Sequence, residues 1–266
     1  MAHIAVLGLG NWGTAIARLW LLEGHKVTGW TIEQEVYESI TMSETNEKYL
    51  PNHPVPGLDA TMHLSEAVEG AEIVVLAVPS SVILDVMEDV LPHLQPGHVL
   101  LDLAKGLAPG KRLISEAIHT RLKEEGKTNP LAVLTGPTIA PEAAGGVMTT
   151  ALVASEDQAI AQRLAQTLST PSFILHPASD PVGAELWGAY KNVVALACGL
   201  VDGLKQVGDL GGDNLKAAIF MSGFKEGCLL LAELGARAEV AFGPAGLGDM
   251  YVTCLLYTSP SPRDEL

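Results

Sequence analysis

Four groups of residues in this chain have types and spacing that could do chemistry. The first is the run Gly8-Leu9-Gly10-Asn11-Trp12-Gly13, set between the apolar stretch Ile4-Ala5-Val6-Leu7 and the helical pattern Thr14-Leu22. In a strand–turn–helix context, G-x-G-x-x-G cradles a pyrophosphate. The first glycine makes the tight turn, the second lets backbone approach phosphate, and the third lets helix pack on strand. The free N–H groups and positive dipole end of the following helix face the anion. The bland alternative is a purely structural glycine turn. The second group is Trp30-Thr31-Ile32-Glu33, at the end of the next apolar run, with Glu33 twenty positions after Gly13. A carboxylate there holds a ribose hydroxyl and repels a 2′-phosphate. No Lys or Arg lies between Lys26 and Lys48, so the segment leans towards NAD over NADP. Glu33 as a solvated loop residue is the competing reading.

The third and fourth groups each centre on a lysine. Lys191 sits in Leu186–Leu200, where the other polar residue is its neighbour Asn192. A helix apolar on nearly every face is expected to be buried. A buried ammonium must be paired or lose its proton more readily, and such a lysine can accept a proton from a hydroxyl. The alternative is a lysine reaching solvent from the helix edge. Lys105 follows Val99-Leu100-Leu101-Asp102-Leu103-Ala104, at the carboxyl end of a strand, the edge where open α/β sheets bind ligands. A second cation there can bind substrate, polarise its oxygen and depress Lys191 by repulsion.

Elements that would position these residues follow from periodicity. Strand-like runs at 4–7, 27–30, 73–78, 99–103, 131–134, 151–154 and 173–175 alternate with helical patterns at 14–22, 81–94, 111–125 and 157–168. Continuous apolar strands alternating with helices predict a parallel sheet covered on both faces. After about residue 180 the pattern is helical, at 185–204, 214–235 and near Val240. The fold class is therefore α/β: a Rossmann-type doubly wound sheet over 1–180, then an incomplete all-helical domain over 181–254. Residues 255–266 read as a non-native or disordered tail.

Three further segments narrow the class: Ala104-Lys105-Gly106-Leu107, Gly136-Pro137-Thr138-Ile139-Ala140-Pro141-Glu142 and Gly188-Ala189-Tyr190-Lys191-Asn192-Val193. With Gly10–Thr14 and Gly248-Asp249, they make the chain resemble the NAD(P)-dependent glycerol-3-phosphate dehydrogenases from residue 3 to about Cys254. The resemblance implies interconversion of sn-glycerol 3-phosphate and dihydroxyacetone phosphate, serving glycerophospholipid synthesis, with NAD or NADP as cofactor. It implies that Lys191 transfers the proton and that Lys105 shares the site. Gly8, Gly10, Asn11, Trp12, Gly13, Glu33, Lys105 and Ala140 then bind cofactor. Lys105, Gly136, Thr138, Lys191, Asn192, Asp249 and Thr253 line the pocket for a small phosphorylated substrate.

The chain departs from the family in three places. Ile32 stands where an arginine is usual, and Phe220-Met221-Ser222-Gly223 lacks an arginine common in that helix. Near the end, Ser259 falls where the family serine stands, but Pro260 and Ser261 replace an Arg-Asn pair that would grip substrate phosphate. The tail also resembles translated adaptor sequence. Two alternatives therefore stand beside the leading one: another β-hydroxyacid-type dehydrogenase, or a nucleotide-binding module that binds NADH without appreciable turnover.

Composition excludes several classes. A net charge of −15 over 266 residues argues against nucleic acid and anionic membrane as partners, while leaving a local basic pocket possible. The three cysteines form no CxxC pair, and the eight histidines show no metal-binding spacing, so no metal site is expected. The apolar stretch at 186–201 is shorter than the ~20 residues a bilayer span needs. No secretory signal is visible and a cytoplasmic protein is the default, so the terminal Arg263-Asp264-Glu265-Leu266 reads as a chance match to a retention signal. Gly106–Lys111 is one residue short of a phosphate loop. Met148, Met221 and Met250 read as core fillers. A homodimer is compatible with this sequence.

Overall fold

A computed structural model describes residues 1–208 and 211–255. The expectations for residues 256–266, including Ser259, Pro260 and Ser261, lie outside the described residues. The first half runs β1 (His3–Leu7), α1 (Asn11–Leu22), β2 (Lys26–Trp30), α2 (Gln34–Ser43), β3 (Asp59–Thr61), α3 (Leu64–Val68), β4 (Ile73–Leu76), α4 (Ile83–Val90) and β5 (Val99–Asp102). It continues through α5 (Ile114–Glu124), β6 (Leu131–Thr135), α6 (Ala140–Ala144), β7 (Thr149–Ala154), α7 (Gln158–Leu168) and β8 (Phe173–Ala178). Helices follow: α8 (Pro181–Gly208), α9 (Asp213–Glu233), α10 (Ala238–Ala241), a wide turn at Pro244–Gly248, and α11 (Asp249–Leu255).

The eight strands form one sheet in the order β3-β2-β1-β4-β5-β6-β7-β8. Strand order reverses between β1 and β4, so the crevice beyond their carboxyl ends is the natural ligand site of a doubly wound sheet. β1, β4, β5 and β6 are nearly or wholly buried along their length, which explains their unbroken apolar sequence. Alternate residues feed two cores: Ile4 and Val6 pack on one face of the sheet, Ala5 and Leu7 on the other.

The structure corrects several expectations. The sheet is not wholly parallel, because β7 runs antiparallel to β6, with β8 parallel to β7. Periodicity cannot report strand direction. Helices α2, α3, α6 and α11 and strand β3 have no counterpart in the sequence reading; most span one or two turns, too short for a period to show. α8 begins four residues before the expected start. Pro181 opens it, and Asp180 Oδ1 accepts a hydrogen bond from Gly183 N at 2.9 Å, a cap that satisfies the first turn.

α8 is also not covered all round. Ala184, Trp187, Lys191, Val194, Ala195, Cys198 and Val201 are buried at helical spacing. Val193, Leu196, Leu200 and Val207 on its other face are exposed, as are Met221, Leu229 and Phe242 elsewhere in the chain's helical half. Met250 is core, but Met148 and Met221 are 65% and 70% exposed, so those two fill no core. Among the described residues no helix is long and apolar enough to cross a membrane, and no cluster of His, Cys, Asp and Glu is suited to a metal ion.

Candidate active site

The turn after β1 is built around its glycines. A Cβ on Gly8 would lie 2.5 Å from the Ala77 carbonyl oxygen, and one on Gly13 would lie 1.9 Å from the Gly8 carbonyl oxygen. Gly8 also has φ +108°, a conformation other residues rarely adopt. These two glycines are therefore needed to close strand, turn and helix together. Gly10 differs. Apart from its own chain neighbours, no residue comes within 4 Å of where its Cβ would stand, so it borders open space at the N-terminus of α1. A cradle whose middle glycine opens outward fits a dinucleotide pyrophosphate. Asn11 is exposed beside it, and half-buried Trp12 packs edge-on against Phe173. Ala140 is buried with Ala15 and Leu50 at the start of α6, so only its backbone can reach a ligand.

Glu33 lies just beyond β2, but not as a free carboxylate. Lys48 Nζ reaches Glu33 Oε2 at 2.5 Å, and Tyr49 Oη donates to Glu33 Oε1 at 2.8 Å. Burial pulls the Glu33 carboxyl upward, but these partners outweigh it and hold the group below its usual range. Lys48, which bounds the stretch without Lys or Arg, thus brings a cation to Glu33. Lys48 is distant in sequence and returns through the fold. Ile32 is 74% exposed.

The two lysines converge on one carboxylate. Lys191 Nζ lies 2.5 Å from Asp249 Oδ1, and Lys105 Nζ lies 3.1 Å from Asp249 Oδ2. Lys105 also donates to the Gly136 carbonyl oxygen at 3.1 Å and reaches Thr138 Oγ1 at 3.5 Å. Lys191 and Asp249 are buried, whereas the Lys105 side chain is 29% exposed. Lys105 therefore faces the mouth and Lys191 the interior. Burial, aided by the charge of Lys105, pulls the Lys191 ammonium from 10.5 down to about 7, against the opposing pull of Asp249. A near-neutral amine held beside a fixed carboxylate and a second cation can take up or release a proton around neutral pH.

Different elements supply these groups. Lys105 comes from the turn after β5, Gly136 and Thr138 from the turn after β6, Lys191 from α8 and Asp249 from the first turn of α11. A Cβ on Gly136 would stand 2.9 Å from Ala151 Cα, so only glycine brings this carbonyl so close to β7. Two expected residues are not brought into the cluster. Asn192 is exposed, about 100° further round α8 from Lys191. Thr253 is buried and its hydroxyl donates to the Asp249 carbonyl oxygen at 2.6 Å, an in-helix bond that bolsters α11.

Sequence reasoning missed two buried carboxyls that hold this arrangement. Asp102, at the end of β5, accepts the Ala104 N–H at 2.8 Å and so fixes the turn into Lys105; burial raises its own proton affinity. Glu185 on α8 accepts from Ser115 N at 3.0 Å and from Ser115 Oγ, capping α5 from outside. That bond ties the helix carrying Lys191 to the sheet domain. A single acid opening an apolar helix was the available signal for Glu185.

Known proteins resemble this chain over most of its length. Residues 3–161 match the family described as NAD-dependent glycerol-3-phosphate dehydrogenase N-terminus, and residues 180–261 match its C-terminus. The glycerol-3-phosphate dehydrogenase [NAD(P)+] of Rhodospirillum rubrum is 41% identical over 94% of this chain and 70% of its own length. That of Fusobacterium nucleatum is 36% identical over 99% of this chain and 77% of its own. The crystal structure of the Coxiella burnetii glycerol-3-phosphate dehydrogenase superposes with a TM-score of 0.89 at 34% identity, covering 97% of this chain and 77% of that one. With its glycine cradle, its paired lysines and these matches over nearly its whole length, the chain belongs to the NAD(P)-dependent glycerol-3-phosphate dehydrogenase family.

Proposed function

We propose that this chain interconverts sn-glycerol 3-phosphate and dihydroxyacetone phosphate, with Lys191 as the proton-transfer residue. The observation that carries this reading is Lys191 itself, buried against Asp249 beside Lys105 with its proton affinity lowered to about 7. In the oxidative direction neutral Lys191 accepts the proton of the C2 hydroxyl, and in the reductive direction its ammonium returns it. Lys105, at the mouth, binds and polarises the same oxygen, with Thr138 and the Gly136 carbonyl beside it. Asp249 orients both amines and offsets one of their two positive charges. The Gly8–Gly13 cradle would hold the pyrophosphate of the dinucleotide, whose nicotinamide would supply the hydride chemistry. Comparing glycerol 3-phosphate with 3-hydroxy acids, by following absorbance of the reduced cofactor, tests the assignment. Preference for a 3-hydroxy acid would overturn it.

Pro260 and Ser261 favour a second reading, in which the chain binds cofactor but turns over poorly. They stand where the family resemblance places an Arg-Asn grip on substrate phosphate. Substituting Pro260→Arg and Ser261→Asn together is then expected to lower the KM for glycerol 3-phosphate on the order of 10-fold or more. An unchanged KM would show that these two positions do not limit substrate binding.

A further inference from the structure

Residues 44–50, between α2 and the approach to β3, carry no motif, yet they fold back onto both halves of the cofactor cradle. Asn46 is fully buried. Its Nδ2 donates to the Leu9 carbonyl oxygen and to Thr14 Oγ1, each at 2.8 Å. Thr14 Oγ1 itself donates to the Leu9 carbonyl at 3.1 Å. Asn46 Oδ1 accepts from Tyr49 N at 3.2 Å, and its carbonyl accepts from Leu50 N at 2.9 Å, which closes the segment into a turn. Leu50 then packs with Ala15, Ala140 and Ala144, fixing the turn against α1 and α6. From the same turn, Lys48 pairs with Glu33 and Glu35, and Tyr49 donates to Glu33.

We propose that the turn Asn46–Tyr49 is the positioning element of the dinucleotide site, with Asn46 holding the phosphate-facing turn and Lys48 and Tyr49 setting the choice between NADH and NADPH. This inference rests on the assignment of Gly8–Gly13 and Glu33 to the cofactor. Leu9 lies between two glycines, so its peptide would sample many orientations if nothing held its carbonyl, and ordering a loose loop on binding weakens affinity. The buried amide of Asn46 removes that freedom in advance. At the ribose end, the charged groups facing one another are Glu33, Glu35 and Lys48. The acids outnumber the lysine, which favours NADH. Lys48, with its side chain 38% exposed, is the cation that can turn to a 2′-phosphate and make NADPH tolerable.

The test is a fluorescence titration of the full chain and its variants with NADH and with NADPH, alongside their melting temperatures. Asn46→Ala should weaken both cofactors alike, by about tenfold. Asn46→Asp, which keeps the acceptor for Tyr49 N but loses both donated bonds, should do the same. Lys48→Ala should weaken NADPH by about tenfold and leave NADH within about threefold. Tyr49→Phe should loosen Glu33 and reduce discrimination between the two. Lys48 and Tyr49 are partly exposed, so their variants keep the fold and test the second half independently. Asn46 variants that melt earlier but bind both cofactors as the parent does would reduce the turn to a structural role. A Lys48→Ala variant with an unchanged NADH to NADPH ratio would remove Lys48 from selectivity. A parent chain that binds neither cofactor would instead overturn the underlying assignment of Gly8–Gly13 and Glu33.

Discussion

Asp249 holds Lys191 at 2.5 Å through one carboxylate oxygen while its other oxygen faces Lys105 at 3.1 Å. One buried anion therefore restrains two cations, and losing a proton from Lys191 leaves a balanced Lys105–Asp249 pair. This favours the neutral amine, which is the form that can accept a proton from a hydroxyl. The pH dependence has a definite sign. With Lys191 titrating at about 7, kcat/KM for alcohol oxidation rises as pH increases through that value, and kcat/KM for ketone reduction falls.

Asp249→Asn should move that limb. The carboxylate raises the proton affinity of Lys191, so removing its charge leaves burial and Lys105 unopposed. The acid limb of oxidation should shift to lower pH, by about one unit or more. KM should rise as Lys105 loses an anchor. A limb that stays in place would mean the ion pair does not govern the titration.

The cradle makes a prediction that separates fold from binding. Gly10 borders open space, so Gly10→Val should fold like the parent and lose NADH binding, because the side chain enters the pyrophosphate position. Gly13→Val should fail to fold, since even its Cβ would stand 1.9 Å from a carbonyl oxygen. Titration of nicotinamide fluorescence with a melting curve reads both. A folded Gly10→Val with unchanged affinity would remove this turn from the cofactor site.

How much of this was legible in the sequence follows from how local each signal is. The cradle, the strands and the alternation with helices were legible because each lies in a few consecutive residues with a fixed period. Lys191 and Lys105 were legible as cations in apolar surroundings. Asp249 was reached only through family resemblance, and its contact with both lysines depends on α11, a helix of two turns. Asn46 and Lys48 were silent because a buried amide and a surface lysine look like any loop residues until the chain folds back. The direction of β7 and the exposure of Met148 and Met221 depend on tertiary packing, which periodicity does not encode.

Lys191 also weakens the fold that it serves. Its proton affinity is lower in the folded chain than in the unfolded one, so the unfolded state binds more protons between about pH 7 and 10.5. The penalty is full below about 7 and fades as pH rises towards 10.5. Lys191→Met should therefore raise the melting temperature at pH 7, on the order of several degrees, with the gain shrinking as pH rises. A lower melting temperature at pH 7 would show that the ion pair with Asp249 outweighs the burial penalty.

Lys191, as proposed, moves the substrate proton and does not serve the cofactor. Its most direct test is turnover of NADH with saturating dihydroxyacetone phosphate, measured for the parent chain and Lys191→Ala, with NADH affinity measured in parallel. Saturable turnover is expected of the parent, a loss on the order of 100-fold or more in the variant, and NADH affinity unchanged within about twofold. A Lys191→Ala chain that reduces dihydroxyacetone phosphate at the parent rate would contradict this role.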